Sequence, residues 1–136
     1  MKPTLLDTDT LSEILKKKNP QVLQRAGDYL ARHQRFSISA MTRYEILRGL
    51  KDINALKRIE DFEAFCQRAE VFPVSDDVFV RAADLWVEAR RGGRPRYDAD
   101  LIIAATALEH GRVLATGNTA HFAWMPGLAL LDWRQP

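Results

Sequence analysis

The sequence is poor in cysteine, in net charge and in long apolar runs. Cys66 is the one cysteine among 136 residues, so no disulfide can form within the chain and a zinc site built on thiolates is excluded. The 20 basic and 18 acidic residues leave a net charge of +2, which is too small to identify a partner from bulk electrostatics. No apolar stretch approaches the roughly 20 residues that span a bilayer, and Asp7 interrupts the N-terminal apolar run before it could serve as a signal peptide. We therefore expect a cytoplasmic protein with no membrane partner.

The remaining composition is typical of one globular domain. Hydrophobic residues make up 46% of the chain and charged residues 28%, which are ordinary values, and a chain of this length suits a single domain over residues 1–136. Four arginines flank the flexible Gly92-Gly93 loop: Arg90, Arg91, Arg94 and Arg96. Arginine binds phosphate through a planar fork of donors, but solvated helices also carry such residues, so RNA contact and plain surface charge both stay open.

Short apolar runs alternate with longer amphipathic segments along the chain. The runs predict strands at residues 4–6, 36–39, 71–74, 113–116 and 128–131. The segments between them predict helices: one capped by Ser12, one ending near Arg35, one from Ala40 to Gly49 capped by Ser39, one over residues 53–69, one capped by Ser75, and one from Asp98 to His110 that Gly111 ends. Strands separated by helices indicate an α/β fold with a mostly parallel sheet covered on both faces.

Two helices carry informative apolar patterns. The helix after Ser75 presents one stripe formed by Val78, Phe79, Ala82, Leu85, Trp86 and Ala89. The helix from Asp98 is apolar nearly all round, so we expect it to lie buried between layers. The three tryptophans, Trp86, Trp124 and Trp133, are interpreted as packing residues rather than base-stacking platforms.

Oxygen-bearing side chains occur beside several strand ends and helix starts. Asp7 ends the first strand, Glu45 lies one turn after Met41 on an inward helix stripe, and Asp100 lies in the first turn of the apolar helix. Thr116 and Asn118 follow the fourth strand. A parallel sheet would bring these positions to one edge, where ligands bind in open α/β folds.

Clustered carboxylates repel one another unless a proton or a cation neutralises them. Mg²⁺ or Mn²⁺ fits such a site, because these hard cations take one or two carboxylates together with waters and substrate phosphates. A site of this kind can activate water for hydrolysis of a phosphodiester. A Ser–His–Asp triad fits poorly, because His33 and His110 lie at helix ends and His121 is predicted to lie in a loop.

The motifs occur in an order that resembles the PIN-domain ribonucleases, and most closely the VapC toxins of bacterial toxin–antitoxin pairs. They are Leu5-Leu6-Asp7-Thr8-Asp9-Thr10, Glu45 followed by Leu47 and Gly49, Asp100-Leu101-Ile102-Ile103-Ala104-Ala105, and Thr116-Gly117-Asn118-Thr119 with Phe122. The resemblance covers essentially the whole chain. It implies a three-layer α/β/α sandwich and a Mg²⁺- or Mn²⁺-dependent endoribonuclease, inhibited by a VapB-type antitoxin whose C-terminal segment lies over the site.

Carried onto this sequence, the resemblance makes Asp7, Glu45 and Asp100 the metal-binding acids. Asn118 falls where many relatives have Asp, so we expect it to orient water or phosphate together with Thr116. Asp9 stands where relatives commonly have Asn.

Asp9 is expected to support the metal-binding acids or to cap a helix. Asp98 and Asp100 compete for one role, and we assign the N-cap to Asp98 and the metal to Asp100. We also expect a homodimer. The alternatives are a catalytically silent RNA-binding or regulatory module of the same fold, and a phosphatase or DNA nuclease with the same metal chemistry.

Overall fold

The computed structural model describes residues 1–136 and contains one five-stranded sheet. The strands are β1 (Thr4–Leu6), β2 (Ser37–Ser39), β3 (Glu70–Phe72), β4 (Val113–Ala115) and β5 (Leu130–Leu131). Their order across the sheet is β3-β2-β1-β4-β5, and every neighbouring pair is parallel. The central strand β1 pairs through Leu5 with Ser37 on one side and Leu114 on the other. The predicted parallel sheet is confirmed.

Seven helices connect and cover these strands. They are α1 (Thr8–Lys16), α2 (Pro20–His33), α3 (Ala40–Asp52), α4 (Leu56–Arg68), α5 (Asp76–Arg91), α6 (Asp98–Glu109) and α7 (Thr119–Phe122). No helix is long and apolar enough to cross a membrane.

The two faces of the sheet carry separate hydrophobic cores. Neighbouring residues of a strand point to opposite faces, and accordingly Leu5 belongs to a core with α5 and α6, whereas Leu6 belongs to a core with α1, α2 and α4. Both leucines are fully buried. Helices therefore cover both faces, which gives the expected three-layer α/β/α sandwich.

Helix α6 is the most deeply buried helix, as its all-round apolar sequence predicts. Every residue from Leu101 to Ala107 is buried. The helix ends at Glu109, and Gly111 then adopts a φ of 60°, a left-handed conformation that glycine tolerates.

Three details of the predicted helices are wrong. Helix α1 begins at Thr8 and is capped by Asp7 rather than Ser12. Helix α3 continues past Gly49 to Asp52, because Leu50 packs into the core and its burial offsets the cost of about 1 kcal/mol for an interior glycine. The stripe on α5 is also narrower than predicted, because Phe79 and Trp86 are 52% and 37% exposed.

Candidate active site

The carboxyl ends of β1 and β4 lie side by side and bring Asp7 and Thr116 together. The hydroxyl of Thr116 donates to Oδ2 of Asp7 at 2.8 Å, although 109 residues separate them along the chain. The other carboxylate oxygen, Oδ1, accepts the backbone N–H of Thr8 at 2.8 Å. Thr116 also accepts the backbone N–H of Asn118 at 3.0 Å. A hydroxyl just after β4 and a backbone N–H at the start of α1 thus hold the two carboxylate oxygens of Asp7.

Asp7 is buried among other acids, and its electrostatics reflect this. Burial, followed by the negative charges of Asp9 and Asp100, raises the pKa of the Asp7 carboxyl to about 7, although the hydrogen bonds from Thr116 and Thr8 oppose this rise. Asp7 as a whole residue is only 5% exposed. A carboxyl in this position is poised to gain either a proton or a cation.

Glu45 reaches the same region from α3, through a threonine. Thr8 donates its hydroxyl to Oε1 of Glu45 at 2.7 Å and lies 3.1 Å from the hydroxyl of Thr42. The Glu45 side chain is 21% exposed, and Arg48 lies 3.7 Å from its other oxygen. Glu45 therefore faces inward, as its position one turn after Met41 predicts, and it adjoins the residue that follows Asp7.

Asp100 and Asn118 meet at His121. Nδ1 of His121 lies 2.9 Å from Oδ2 of Asp100 and 2.8 Å from Nδ2 of Asn118. Because a carboxylate oxygen only accepts hydrogen bonds, the contact with Asp100 requires the tautomer in which Nδ1 carries its single hydrogen and donates it to Oδ2. The prediction that His121 lies in a loop is wrong, since it belongs to the four-residue helix α7.

The two other acids of the motifs have separate positions. Asp98 is exposed and is the first residue of α6, whereas the N-cap is Tyr97, with no side-chain cap bond. The prediction that Asp98 caps this helix is therefore wrong. Asp9 is exposed and accepts the backbone N–H of Gly117 at 3.0 Å, so it ties α1 to the turn after β4.

Sequence reasoning missed three groups around these acids: Thr8, His121 and Arg134. Arg134 donates to the carbonyl of Gly117 at 2.6 Å and pairs with Asp132 at 3.0 Å. A helix of four residues shows no apolar periodicity, and the arginine lies 17 residues from its partner. The one available signal was the spacing of three residues between Asn118 and His121, which suits neighbours on a helical turn.

The donor chemistry of this edge suits a hard cation. Asp7 and Asp100 offer carboxylate oxygens, and Mg²⁺ is commonly held by one or two carboxylates plus water and phosphate. Burial raises the pKa of Asp7 most, and the negative charges of Asp9 and Asp100 add to the rise; a cation would relieve this repulsion between the acids. As the side chains are placed, no group of three or more His, Cys, Asp or Glu residues is arranged to hold a metal ion.

Comparisons with known proteins agree with this architecture. The PIN-domain family profile matches residues 4–126. A tRNA(fMet)-specific endonuclease VapC from Salmonella typhimurium is 28% identical over 130 residues, which cover 95% of this chain and 96% of that protein. A VapC ribonuclease from Sinorhizobium fredii is 30% identical over 139 residues, covering 97% and 98%. The crystal structure of DNA-bound VapBC from Salmonella typhimurium matches with a TM-score of 0.85 and 28% identity, over 98% of this chain and 99% of that one.

The structure is a parallel α/β/α sandwich with a buried aspartate at the end of its central strand. The chain belongs to the PIN-domain family. Within that family it is a VapC-type protein, similar over nearly its whole length to the ribonucleases of toxin–antitoxin pairs. The family expected from the order of the motifs is confirmed.

Proposed function

We propose that this protein is a Mg²⁺- or Mn²⁺-dependent endoribonuclease and the toxin of a toxin–antitoxin pair. The observation that carries the proposal is the Asp7 carboxyl, which is buried at the sheet edge where α/β folds bind ligands. Burial and the neighbouring acids Asp9 and Asp100 raise the pKa of this carboxyl. An acid kept in such a position costs stability unless it serves a ligand. The relatives named as VapC ribonucleases support the same chemistry.

In this proposal Asp7 and Asp100 hold the cation, and Glu45 completes the acidic set. A cation held there would supply the activation of a water and charge stabilisation for the phosphodiester oxygens. Neutralisation of these acids also removes the repulsion between the site and a phosphate, so that RNA can approach.

The remaining site residues position these groups. The Thr116 hydroxyl and the Thr8 N–H hold the two Asp7 oxygens and favour the ionised carboxylate. His121 orients Asp100, since its Nδ1 lies 2.9 Å from Oδ2. Asn118 is exposed and sits at the mouth of the site, where its amide can hold a water or a phosphate oxygen.

We propose tRNA as the substrate class and a VapB-type antitoxin as the partner. Two relatives at 28% and 27% identity are named tRNA(fMet)-specific endonucleases, and a structural neighbour at 28% identity is a VapBC complex. A basic side chain of the antitoxin entering among Asp7, Glu45 and Asp100 would replace the charge of the cation. A homodimer stays a prediction, since a single chain is described.

Cleavage mapping tests the catalytic proposal. The purified chain is incubated with total RNA, an initiator tRNA transcript and single-stranded DNA, each with Mg²⁺, with Mn²⁺ and with a chelator. We expect RNA cuts that require the cation and leave a 5′-phosphate and a 3′-hydroxyl. The matched pair is Asp100→Asn, which should abolish cutting, and Asp98→Asn, an exposed acid two residues away, which should not. RNA binding without any cutting would overturn the proposal in favour of a silent module, and preferential cutting of DNA would replace the substrate class.

A further inference from the structure

Asp100 lines a small pocket that neither Asp7 nor Thr116 lines. It has a volume of about 130 Å³ and is formed by the loop before α6 and by α7 and the residues after it. An enclosed apolar cavity of about 150 Å³ accommodates a benzene ring, so this open pocket of similar size has room for part of one flat ring, with the rest of the base outside it. We propose that it binds a single unpaired base of the RNA, next to the bond that is cut. The inference rests on the proposed ribonuclease function.

The pocket offers an exposed aromatic face. Tyr97 is 54% exposed and stacks on the ring of His121, with centroids 5.2 Å apart and planes inclined by 24°. His121 in turn contacts Asp100. A base that stacks on Tyr97 would therefore be connected to a proposed metal-binding acid through two side chains, Tyr97 and His121.

The floor and the far wall are fixed by packing. Leu101 and Met125 are 3% and 4% exposed and belong to the core. The indole of Trp124 is held by its Nε1, which donates to the carbonyl of His121 at 3.0 Å. A rigid, largely apolar pocket of this kind favours a flat ring over a flexible chain, because little ordering entropy is lost on either side.

One cation completes the pocket. The guanidinium of Arg94 lies over the ring of Trp124, 5.3 Å from its centroid, and forms no ion pair. Its loop is anchored, since the Arg94 N–H donates to the carbonyl of Ala89 at 2.8 Å, and Gly92 leaves the space that the guanidinium occupies. An arginine without a carboxylate partner beside an aromatic wall suits a base edge or its phosphate. The exposed ring of Tyr97 favours RNA over an acidic peptide, because an unpaired base stacks on an aromatic face and a carboxylate does not.

Arg96, two residues after Arg94, provides a matched control. Arg96 belongs to the same loop, but its guanidinium lies over Trp86 on α5, 4.9 Å from the centroid, and does not line the pocket. If positive charge alone mattered, removing either arginine would weaken RNA binding equally. A base pocket predicts that only the loss of Arg94 weakens binding.

The test uses a ten-nucleotide single-stranded RNA in which 2-aminopurine replaces each base in turn, mixed with the full chain in a chelator so that the RNA stays intact. We expect fluorescence quenching by stacking at one position. Tyr97→Ala should abolish the quenching and weaken binding about 10-fold to 100-fold, while Tyr97→Phe keeps both. Arg94→Ala should weaken binding several-fold, and Arg96→Ala should leave it near the wild-type value.

A second arm measures cleavage of the same RNA with an abasic nucleotide walked along it, in Mg²⁺. One abasic position should raise KM about 10-fold for the wild type and have no further effect in Tyr97→Ala, because the two changes remove one contact. This arm keeps the proposal testable even where a variant folds poorly, since the wild-type protein alone reports the base position. RNA that is neither bound nor cut overturns the ribonuclease function as well. Normal cutting with no effect of Tyr97→Ala overturns the base pocket only. The same holds if Tyr97→Ala changes inhibition by an antitoxin peptide while the kinetics of RNA cleavage stay unchanged.

Discussion

Asp7 serves two roles that place opposite demands on it. As the N-cap of α1 it accepts a backbone N–H, a role that asparagine fills as well as aspartate. As a buried acid near Asp9 and Asp100 it carries a charge that the folded protein disfavours. The cap therefore does not explain why an acid occupies this position, whereas the proposed cation would explain it.

The substitution Asp7→Asn separates these roles. We expect cleavage to fall by at least about 100-fold, because charge stabilisation at the reacting phosphate is lost, while the N-cap and the fold are kept. In a chelator at pH 7 the variant should melt at a temperature equal to or above that of the wild type. Circular dichroism melting and RNA cleavage on the same preparations check both statements, and undiminished cleavage by a well-folded variant would contradict the metal role.

The raised pKa of Asp7 also predicts a pH dependence of stability. The folded protein binds this proton more tightly than the unfolded chain, since the pKa is raised from 3.8 to about 7. The favourable contribution is therefore complete below about pH 4 and is lost as the pH rises toward about 7. Denaturant titrations in a chelator should show a stability loss over this window that Asp7→Asn lacks. An equal pH dependence in both proteins would show that Asp7 is ionised throughout.

The pair Asp98 and Asp100 differs in exposure and in partners. Asp98 is exposed and makes no cap bond, so Asp98→Ala should change stability by less than about 1 kcal/mol, through the helix dipole alone. Asp100→Ala should abolish cleavage and release His121 from its carboxylate partner. Melting and cleavage measured for both variants decide the assignment, and an inactive Asp98→Ala beside an active Asp100→Ala would exchange the two roles.

Among the helices and strands, the sequence predicts those whose position depends on a local apolar pattern. Strands β1, β2 and β4 and the buried helix α6 follow from runs such as Leu101 to Ala107. The start of α1 does not, because the competition between Asp7 and Ser12 for the cap is decided by where β1 ends in the sheet. Helix α7 has too few residues for a pattern, so the position of His121 and its contact with Asp100 emerge only from the packed structure.

Helix capping gives a prediction at this scale. Ser75 caps α5 by accepting the N–H of Val78 at 3.2 Å, and it follows the edge strand β3, which β2 separates from β1. Ser75→Ala should destabilise the fold by about 0.5–2 kcal/mol while cleavage is kept. Ser12, which lies inside α1, is the control, and Ser12→Ala should have little effect. Equal stability changes in the two variants would contradict the observed cap positions.

At the scale of the whole molecule, the site exists because five elements converge on one sheet edge. Asp7, Glu45 and Asp100 come from three different parts of the chain, and Thr116 and His121 from two more. Their common edge was predictable from parallel topology alone, since carboxyl ends of parallel strands meet. Their mutual hydrogen bonds were not, because partner choice depends on side-chain positions that no spacing rule encodes.

Expression of the protein in bacterial cells tests its proposed role as a toxin. Induction of this chain alone should arrest bacterial growth, because an active endoribonuclease depletes RNA, and co-expression of a small protein encoded next to its gene should restore growth. Asp7→Asn should be harmless yet still bind that protein, though more weakly, since the fold, Glu45 and Asp100 are kept and one charge is lost. This variant separates loss of chemistry from loss of folding, because an unfolded chain would fail to bind the partner. Harmless expression of the wild type at high level, together with RNA binding but no cutting in vitro, would contradict the toxin assignment and favour a silent RNA-binding module of the same fold.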